Sequence, residues 1–506
     1  MTRDVSATDS TFRPALLLMS GRTLGFVATF FIPVVLVRVF NQTDFGTYKQ
    51  LLLVYSTFYC TAQFGMAESL FYFLPGAGKA AGRYVANSLV FLAAAGTVCG
   101  ALLAAASGWI SRWLHNDALA GHMTLIAVFL GLMLASAGLE MVMTARRRYL
   151  WAAASYGASD LARTACFIAP AVLLLRLDPV LTGAVAFALL RLAAAVGYFA
   201  CAFRRTTRVD ARLLSEQLAY AGPFGLAVLL EIVQANLHQY AVSYSFDAAT
   251  FAIYSVGCLQ LPFVDAVAGS TWNVLMVRMT EARRNGHPDR VLEIWHDTTR
   301  KLALVFFPLV AVLLVGAPEV IELLFTEQYR ASVPVFRVST TAVGLTILAT
   351  DSVLRVYAQT NFLLLLNAVR LALIAVLIAP FIAILHLPGA IFVTVLATAV
   401  TKGLALARMS RLMGLGLDRL LPWRSLGATA TAATIAALGG LGAKALVGGT
   451  AFSGLVAVTL VAAGVYAVLL LRLGLLGKDE RAAMTRWLHR PIVGPQAPVR
   501  SRGYGG

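Results

Sequence analysis

The apolar residues of this chain come in blocks of about 20, one after another along most of its length. A helix rises ~1.5 Å per residue, so one such block matches a hydrocarbon layer ~30 Å thick. In lipid, every backbone N–H and C=O must find a partner within its own segment, so blocks this long are helices. Composition agrees: 59% of the residues are hydrophobic and only 13% are charged. A soluble chain of this length needs a polar shell, with about a quarter of its residues charged. The sequence therefore predicts an all-α polytopic membrane protein.

Breaks rich in charge or turn residues divide the chain into fourteen predicted helices, near 15–39, 50–74, 84–107, 121–143, 150–175, 180–203, 218–242, 250–275, 301–324, 334–357, 361–385, 388–407, 425–447 and 451–473. Residues 1–14 are polar, and no short apolar stretch with a cleavage motif follows them, so the first helix is read as retained. With both termini placed in the cytoplasm, 27 of the 41 Lys and Arg fall on the cytoplasmic side and 7 on the other. That bias orients the chain. The net charge of +17 is thereby read as a topology signal, and nucleic-acid binding is not needed to explain it. The five cysteines lie inside apolar blocks without Cys-x-x-Cys spacing, so they read as small buried side chains rather than metal ligands or disulfides.

One short pattern occurs twice. "FNQTDFGTY" (Phe40–Tyr48) reappears as "FDAATFAIY" (Phe246–Tyr254), 206 residues later, with Phe40, Phe45 and Tyr48 over Phe246, Phe251 and Tyr254. The same offset carries "LTGAVAF" (Leu181–Phe187) onto "LPGAIFV" (Leu387–Val393) and Arg205 onto Arg411. With a one-residue slip, Arg163 meets Arg370. Helices 1–6 and 7–12 are thus read as two copies of one six-helix unit. Six is even, so the copies enter the membrane from the same side, as parallel bundles with a site between them. The polar triplets are expected to make the outer turns and the aromatics to anchor at the membrane interface. The expected division is a cytoplasmic segment 1–14, a first bundle 15–203, a linker 204–217, a second bundle 218–407, a loop 408–424, an appended pair of helices 425–473 and a basic cytoplasmic tail 474–506.

The stretch from Arg38 to Tyr48 resembles the first outer loop of bacterial polysaccharide flippases, members of the multidrug/oligosaccharidyl-lipid/polysaccharide exporter superfamily. "QFGMAESLFYFLPG" (Gln63–Gly76), "LLFTEQYRASVPVFRV" (Leu323–Val338) and "LPGAIFVTVLAT" (Leu387–Thr398) are similar to their second helix end, ninth-to-tenth turn and twelfth helix. Ala252 and Thr326 depart from the pattern, Thr326 standing where that turn usually has glycine. The resemblance runs over about residues 12–475. It implies a transporter that flips undecaprenyl-pyrophosphate-linked oligosaccharides from the inner to the outer leaflet of the cytoplasmic (cell inner) membrane, for surface polysaccharide such as lipopolysaccharide or exopolysaccharide.

Such cargo calls for a wet cavity with cations for phosphate, and arginine suits that task through its planar fork. Intramembrane charges are costly, so each needs a reason. Arg22, on a helix expected to line the cavity, is a candidate headgroup contact, with an ion pair to Glu68 as the plainer alternative. Arg370 is a second candidate, with Asp351 as its alternative partner. Glu231, Gln234 and His238 form a polar stripe at i, i+3 and i+7, read as lumen lining against a buried hydrogen-bond network. Asp265 joins them as a candidate for ion coupling. Arg163 is explained by Asp160 three residues earlier, and Arg191 by snorkelling. The segment Arg278–Lys301 reads as an amphipathic surface helix with Val291, Leu292, Ile294 and Trp295 toward lipid, or as a dock for glycosyltransferases.

No phosphate-binding glycine loop is present, and no cofactor is expected. The competing readings are a drug/cation antiporter of the same superfamily and a polysaccharide polymerase or ligase. The latter needs a long outer loop with catalytic residues, and the longest outer connection here is only about a dozen residues. The lipid bilayer and the lipid-linked substrate are the expected partners, with a polymerase and glycosyltransferases beyond them.

Overall fold

A computed structural model describes residues 12–203 and 208–475, with the backbone alone along 12–24 and at 288. Its helices are α1 (Phe12–Val39), α2 (Gln42–Gln63), α3 (Met66–Phe73), α4 (Ala81–Ala105), α5 (Ser107–Trp113), α6 (Ala118–Ala135), α7 (Leu139–Ala145), α8 (Tyr149–Leu174), α9 (Leu177–Ala202) and α10 (Ala211–Ser245). They continue with α11 (Ala248–Gly257), α12 (Pro262–Arg284), α13 (Pro288–Val315), α14 (Ala317–Phe325), α15 (Val333–Leu345), α16 (Thr350–Val356), α17 (Thr360–Met413), α18 (Leu417–Leu420), α19 (Trp423–Val447) and α20 (Ala451–Arg472). No strand occurs among the described residues. Large apolar side chains such as Leu446, Leu173, Ile384 and Val376 stand 88%, 77%, 73% and 72% exposed, which is affordable only against lipid. The chain is a multi-pass membrane protein.

Ten helical stretches among the described residues are long and apolar enough to cross a membrane, and the pair α11–α12, bent by 49°, makes eleven. The expected fourteen differ from these eleven at three places. α1 is helical over 28 residues, Phe12–Val39, and its side chains are described only from Gly25 on. α2 is rich in polar side chains, which it turns toward the second half of the chain, and it is interrupted before α3 at Phe64 and Gly65. α17 is a single stretch of 54 residues broken at His386 (φ 53°, ψ −136°), and it folds back on itself there. Phe381 stacks on Phe392, and Arg408 donates to Gln359, so its two arms run antiparallel.

The repeat found in the sequence is visible in the local structure. Asn41 caps α2 by accepting from Asp44 N at 2.8 Å, and Asp247 caps α11 by accepting from Thr250 N at 2.9 Å. Their backbones match, at φ −68°, ψ 168° and φ −70°, ψ 170°. Gly183 and Gly389, also 206 apart, each press on backbone of the preceding helical arm, at Cys166 O and Phe381 O. The aromatics of the two turns do not sit at the membrane interface as expected. Phe40, Phe45, Tyr48, Phe251 and Tyr254 are 5% exposed or less and belong to the core, because the two turns face each other.

That meeting joins the halves. A Cβ on Gly46 would stand 1.8 Å from Ala248 O, so α2 and α11 cross in backbone contact there. Around it, Arg38 donates to the carbonyls of Leu323 and Leu324 at 2.6 Å, and Gln42 Nε2 to Gln328 O at 2.8 Å. Gln50 Nε2 donates to Ser243 Oγ at 2.8 Å, and Asn116 holds Gln50 Oε1 at 2.6 Å. One core cluster accordingly runs from α1, α2 and α6 into α14 and α15, while another joins α12, α13, α16, α17, α18 and α19.

Two expectations need correction. α10 starts at Ala211, inside the stretch read as a linker, and its first turns pack on α3 and α4 through Gln217, which reaches Ser69 and Ser88. Val291, Ile294 and Trp295 do not face lipid. They are 0%, 8% and 0% exposed in the second core cluster, and Trp295 Nε1 donates to Leu420 O at 2.9 Å. α13 runs from this buried start straight to Val315, so the apolar face of the segment is consumed by the protein's own interior. The tail beyond 475, residues 1–11 and Arg205 lie outside the described residues.

Candidate functional site

Between the two halves lies a cavity of about 410 Å³, walled by α1, α2, α10, α11 and the break that follows α11. The repeat offset organises its lining. Phe30 pairs with Asn236, Pro33 with Gln239, Lys49 with Ser255, Leu52 with Cys258, Leu53 with Leu259, and Ser56 with Pro262, each 206 residues apart. The cavity therefore sits where the two copies face each other. Equivalent positions carry different chemistry: the first copy supplies a lysine and a hydroxyl, and the second supplies two amides and a hydroxyl.

Among the described residues, Lys49 is the one cation in this lining, with its Nζ 5.5 Å from the centre of the Phe45 ring. Opposite it, the chain leaves helical geometry between Gly257 and Pro262, and Cys258, Leu259 and Gln260 line the cavity. A helix broken inside a membrane frees backbone groups that a cavity or a bound ligand must satisfy. The side wall is tied by hydrogen bonds from Asn236 Nδ2 and Tyr240 OH to Thr57 Oγ1, both at 2.9 Å, which span the two halves. A lysine, three amides and several hydroxyls around a partly apolar wall suit a phosphorylated or hydroxyl-rich ligand better than a plain hydrocarbon.

Among the described side chains, none of those singled out from the sequence lines this cavity. Arg22 lies on α1, one turn before the wall at Phe26, and its side chain is outside those described. Glu68 is half-buried on α3, and its Oε2 has no hydrogen-bond partner among the described residues. The stripe on α10 divides: Glu231 is exposed, whereas Gln234 and His238 are 3% and 7% exposed and point into helix packing. Gln234 Nε2 donates to Asn367 O at 2.9 Å, and His238 Nδ1 lies 2.6 Å from Tyr254 OH. For these two the lumen reading is corrected: they form the buried network, and their neighbours Asn236 and Gln239 face the cavity. Asp265 is exposed in the first turn of α12, just past the break. Asp351 pairs with Lys402 Nζ at 3.1 Å rather than with Arg370. Arg370 shares a separate, smaller cavity with that pair.

Two pairings escaped the sequence. Arg191 does not snorkel: its NH2 meets Glu140 at 2.7 Å, with Glu140 2% exposed and Ser159 and Ser155 completing the network. Arg163 lies over the Phe167 ring, and no ion pair to Asp160 forms within 4 Å. Lys49 directly precedes the second predicted helix, 50–74, and so reads from sequence as part of a connection. Applying the offset of 206 to the turn would have placed it opposite Ser255, on the axis of the repeat.

Comparison with known proteins decides the family. The family described as polysaccharide biosynthesis protein matches residues 35–334, more than half of the chain. The chain belongs to it. No curated protein matches the chain in sequence. Among solved structures, this family member is similar to the lipid II flippase MurJ in an inward closed conformation, at 11% identity and TM-score 0.70 over 95% of this chain and 100% of that one. It is also similar to a multidrug resistance MATE family transporter of the MOP superfamily in an inward-facing conformation, at 13% identity and TM-score 0.59 over 78% and 94%. A mutant of the MATE transporter VcmN from Vibrio cholerae gives 14% and 0.56 over 81% and 99%. At these identities the likeness shows the fold, and the family member has the exporter architecture of two facing bundles.

Proposed function

We propose that this member of the polysaccharide biosynthesis family carries an undecaprenyl-pyrophosphate-linked oligosaccharide from the inner to the outer leaflet of the cytoplasmic membrane, with both termini in the cytoplasm. The observation that carries the reading is the central cavity. It lies on the axis between two copies of one unit, holds one lysine among the described residues, and is closed beside the Gly46–Ala248 crossing. In the proposed cycle, the pyrophosphate meets Lys49, the amides Asn236, Gln239 and Gln260 hold sugar hydroxyls, and the polyprenyl tail stays in lipid. A space of about 410 Å³ is at the low end for a drug-sized ligand. A longer glycan therefore requires the bundles to part, first at the cytoplasmic end and then at the turn end. Glu68, Glu231, Asp265, Asp351 and Arg370 act in this reading as flanking charges rather than as cavity contacts, and Arg22 remains a proposed contact beneath Phe26. A polymerase and glycosyltransferases are the proposed partners on the two faces, with the glycan destined for lipopolysaccharide, capsule or exopolysaccharide.

The reading is tested by deleting the gene in its host. Lipid-linked repeat units should build up on the inner leaflet while surface glycan disappears. Unchanged surface glycan together with new drug sensitivity would replace it with the antiporter reading.

A further inference from the structure

The second bundle encloses a polar cavity of its own, about 70 Å³ in volume, between α16 and the two arms of α17. Asp351, Asn367, Arg370, Thr398, Thr401 and Lys402 supply its polar lining. Lys402 Nζ donates to Thr350 Oγ1 at 3.0 Å and to Asp351 Oδ1 at 3.1 Å. The hydroxyls of Thr398 and Thr401 already donate to backbone carbonyls one turn back. Arg370 Nε is buried and has no hydrogen-bond partner among the described residues. Two cations thus face one carboxylate, and that carboxylate is 60% exposed at the cavity's edge. Glu231, on the neighbouring α10, is exposed and lies outside the lining.

A buried guanidinium N–H without an acceptor is costly, and polar cavities of this size are not dry. We propose that this cavity binds a small monovalent inorganic anion of the halide class. Arg370 and Lys402 supply the charge, and the Asn367 amide is the neutral donor. One negative charge balances the lining, whereas a doubly charged phosphate overshoots it. The volume admits a halide with a water. Such an ion would fasten the two arms of α17 to α16 without entering the central cavity. The inference stands apart from the transport reading, and either can fail alone.

The test uses the full chain purified in detergent, with its thermal unfolding followed in chloride, bromide, gluconate and phosphate at equal ionic strength. Chloride and bromide should raise the melting temperature in a saturable way that gluconate does not reproduce. Arg370→Gln should lose that rise, while Arg337→Gln, whose arginine donates to Leu314 O elsewhere, should keep it. Equal melting in chloride and gluconate would overturn the site, as would a saturable rise that survives Arg370→Gln. Phosphate acting at lower concentration than chloride would overturn the halide assignment. Should Arg370→Gln fail to fold, bromide in crystals of the unaltered protein decides. An anomalous peak between Arg370 and Lys402 supports the site, and its absence there refutes it.

Discussion

Lys49 stands on the wall of the central cavity as its one cation among the described residues, against Phe45 and opposite the break after α11. Hydrogen bonds to a charged group contribute ~1.5–3 kcal/mol, which is about ten- to a hundredfold in affinity. Lys49→Met should therefore lower glycan export by at least about tenfold with the protein still folded at its normal level, and Lys49→Arg should retain most export. Surface glycan and membrane protein amount, measured together, check this. At Thr326 the backbone adopts φ 74° and ψ 164°, a region open essentially to glycine alone, and a threonine there costs about 1–3 kcal/mol. Thr326→Gly should raise the melting temperature of the purified protein, and an unchanged or lower value would remove the strain argument. The family resemblance had already marked that position as one that usually holds glycine, so this residue was legible. Lys49 was not, because a lysine next to a turn reads as a loop charge until the partner helix is known. Arg191 and Glu140 lie 51 residues apart on different helices, and nothing in local spacing announces such a pair.

The helices were read from apolar block length, and the agreement is best where one face alone meets protein, as in α8, α9 and α20. It is poorest where polar residues are enclosed. α2 turns Gln42, Gln50 and Thr57 toward the second half, which masks it as a span. The start of α13 uses an amphipathic face to pack on α18, a burial that sequence periodicity cannot tell from lying on lipid. The two turns were legible as elements because their caps are polar and repeated. At Asp247, hydrogen bonds from the Thr250 side chain and backbone hold the carboxyl below its usual value. The cap's contribution, about 1 kcal/mol, is therefore complete above the unfolded value of ~3.9 and fades as pH falls through the lowered one. Thermal unfolding between pH 5 and pH 3 should show wild type losing stability relative to Asp247→Asn, whose cap does not titrate. At the crossing of α2 and α11 there is no room for a side chain on Gly46. Gly46→Val should hold the turn end ajar, so that Asn236→Cys in the cavity reacts faster with a membrane-impermeant thiol reagent added from outside. No change in that rate, with normal protein amount, would mean that the crossing is not a seal.

At the scale of the molecule, the offset of 206 residues did more than relate two halves of a sequence. Twelve residues of the cavity lining fall into six pairs with that spacing, so the site is built by the duplication itself. Its chemistry comes from where the copies have diverged, at Lys49 against Ser255, Phe30 against Asn236 and Pro33 against Gln239. A two-fold arrangement closed at one end by Arg38, Gln42, Gly46 and Gln50 is suited to opening there and closing at the other. The most direct measurement joins the closed end covalently. In a background without the five native cysteines, Gln42→Cys and Gln328→Cys would be linked by a short bis-maleimide and the protein reconstituted into vesicles. Movement of a lipid-linked oligosaccharide between leaflets should cease in the linked protein and continue in each single-cysteine control treated alike. Transfer at the unlinked rate through the joined protein would contradict a cavity that alternates between its two ends.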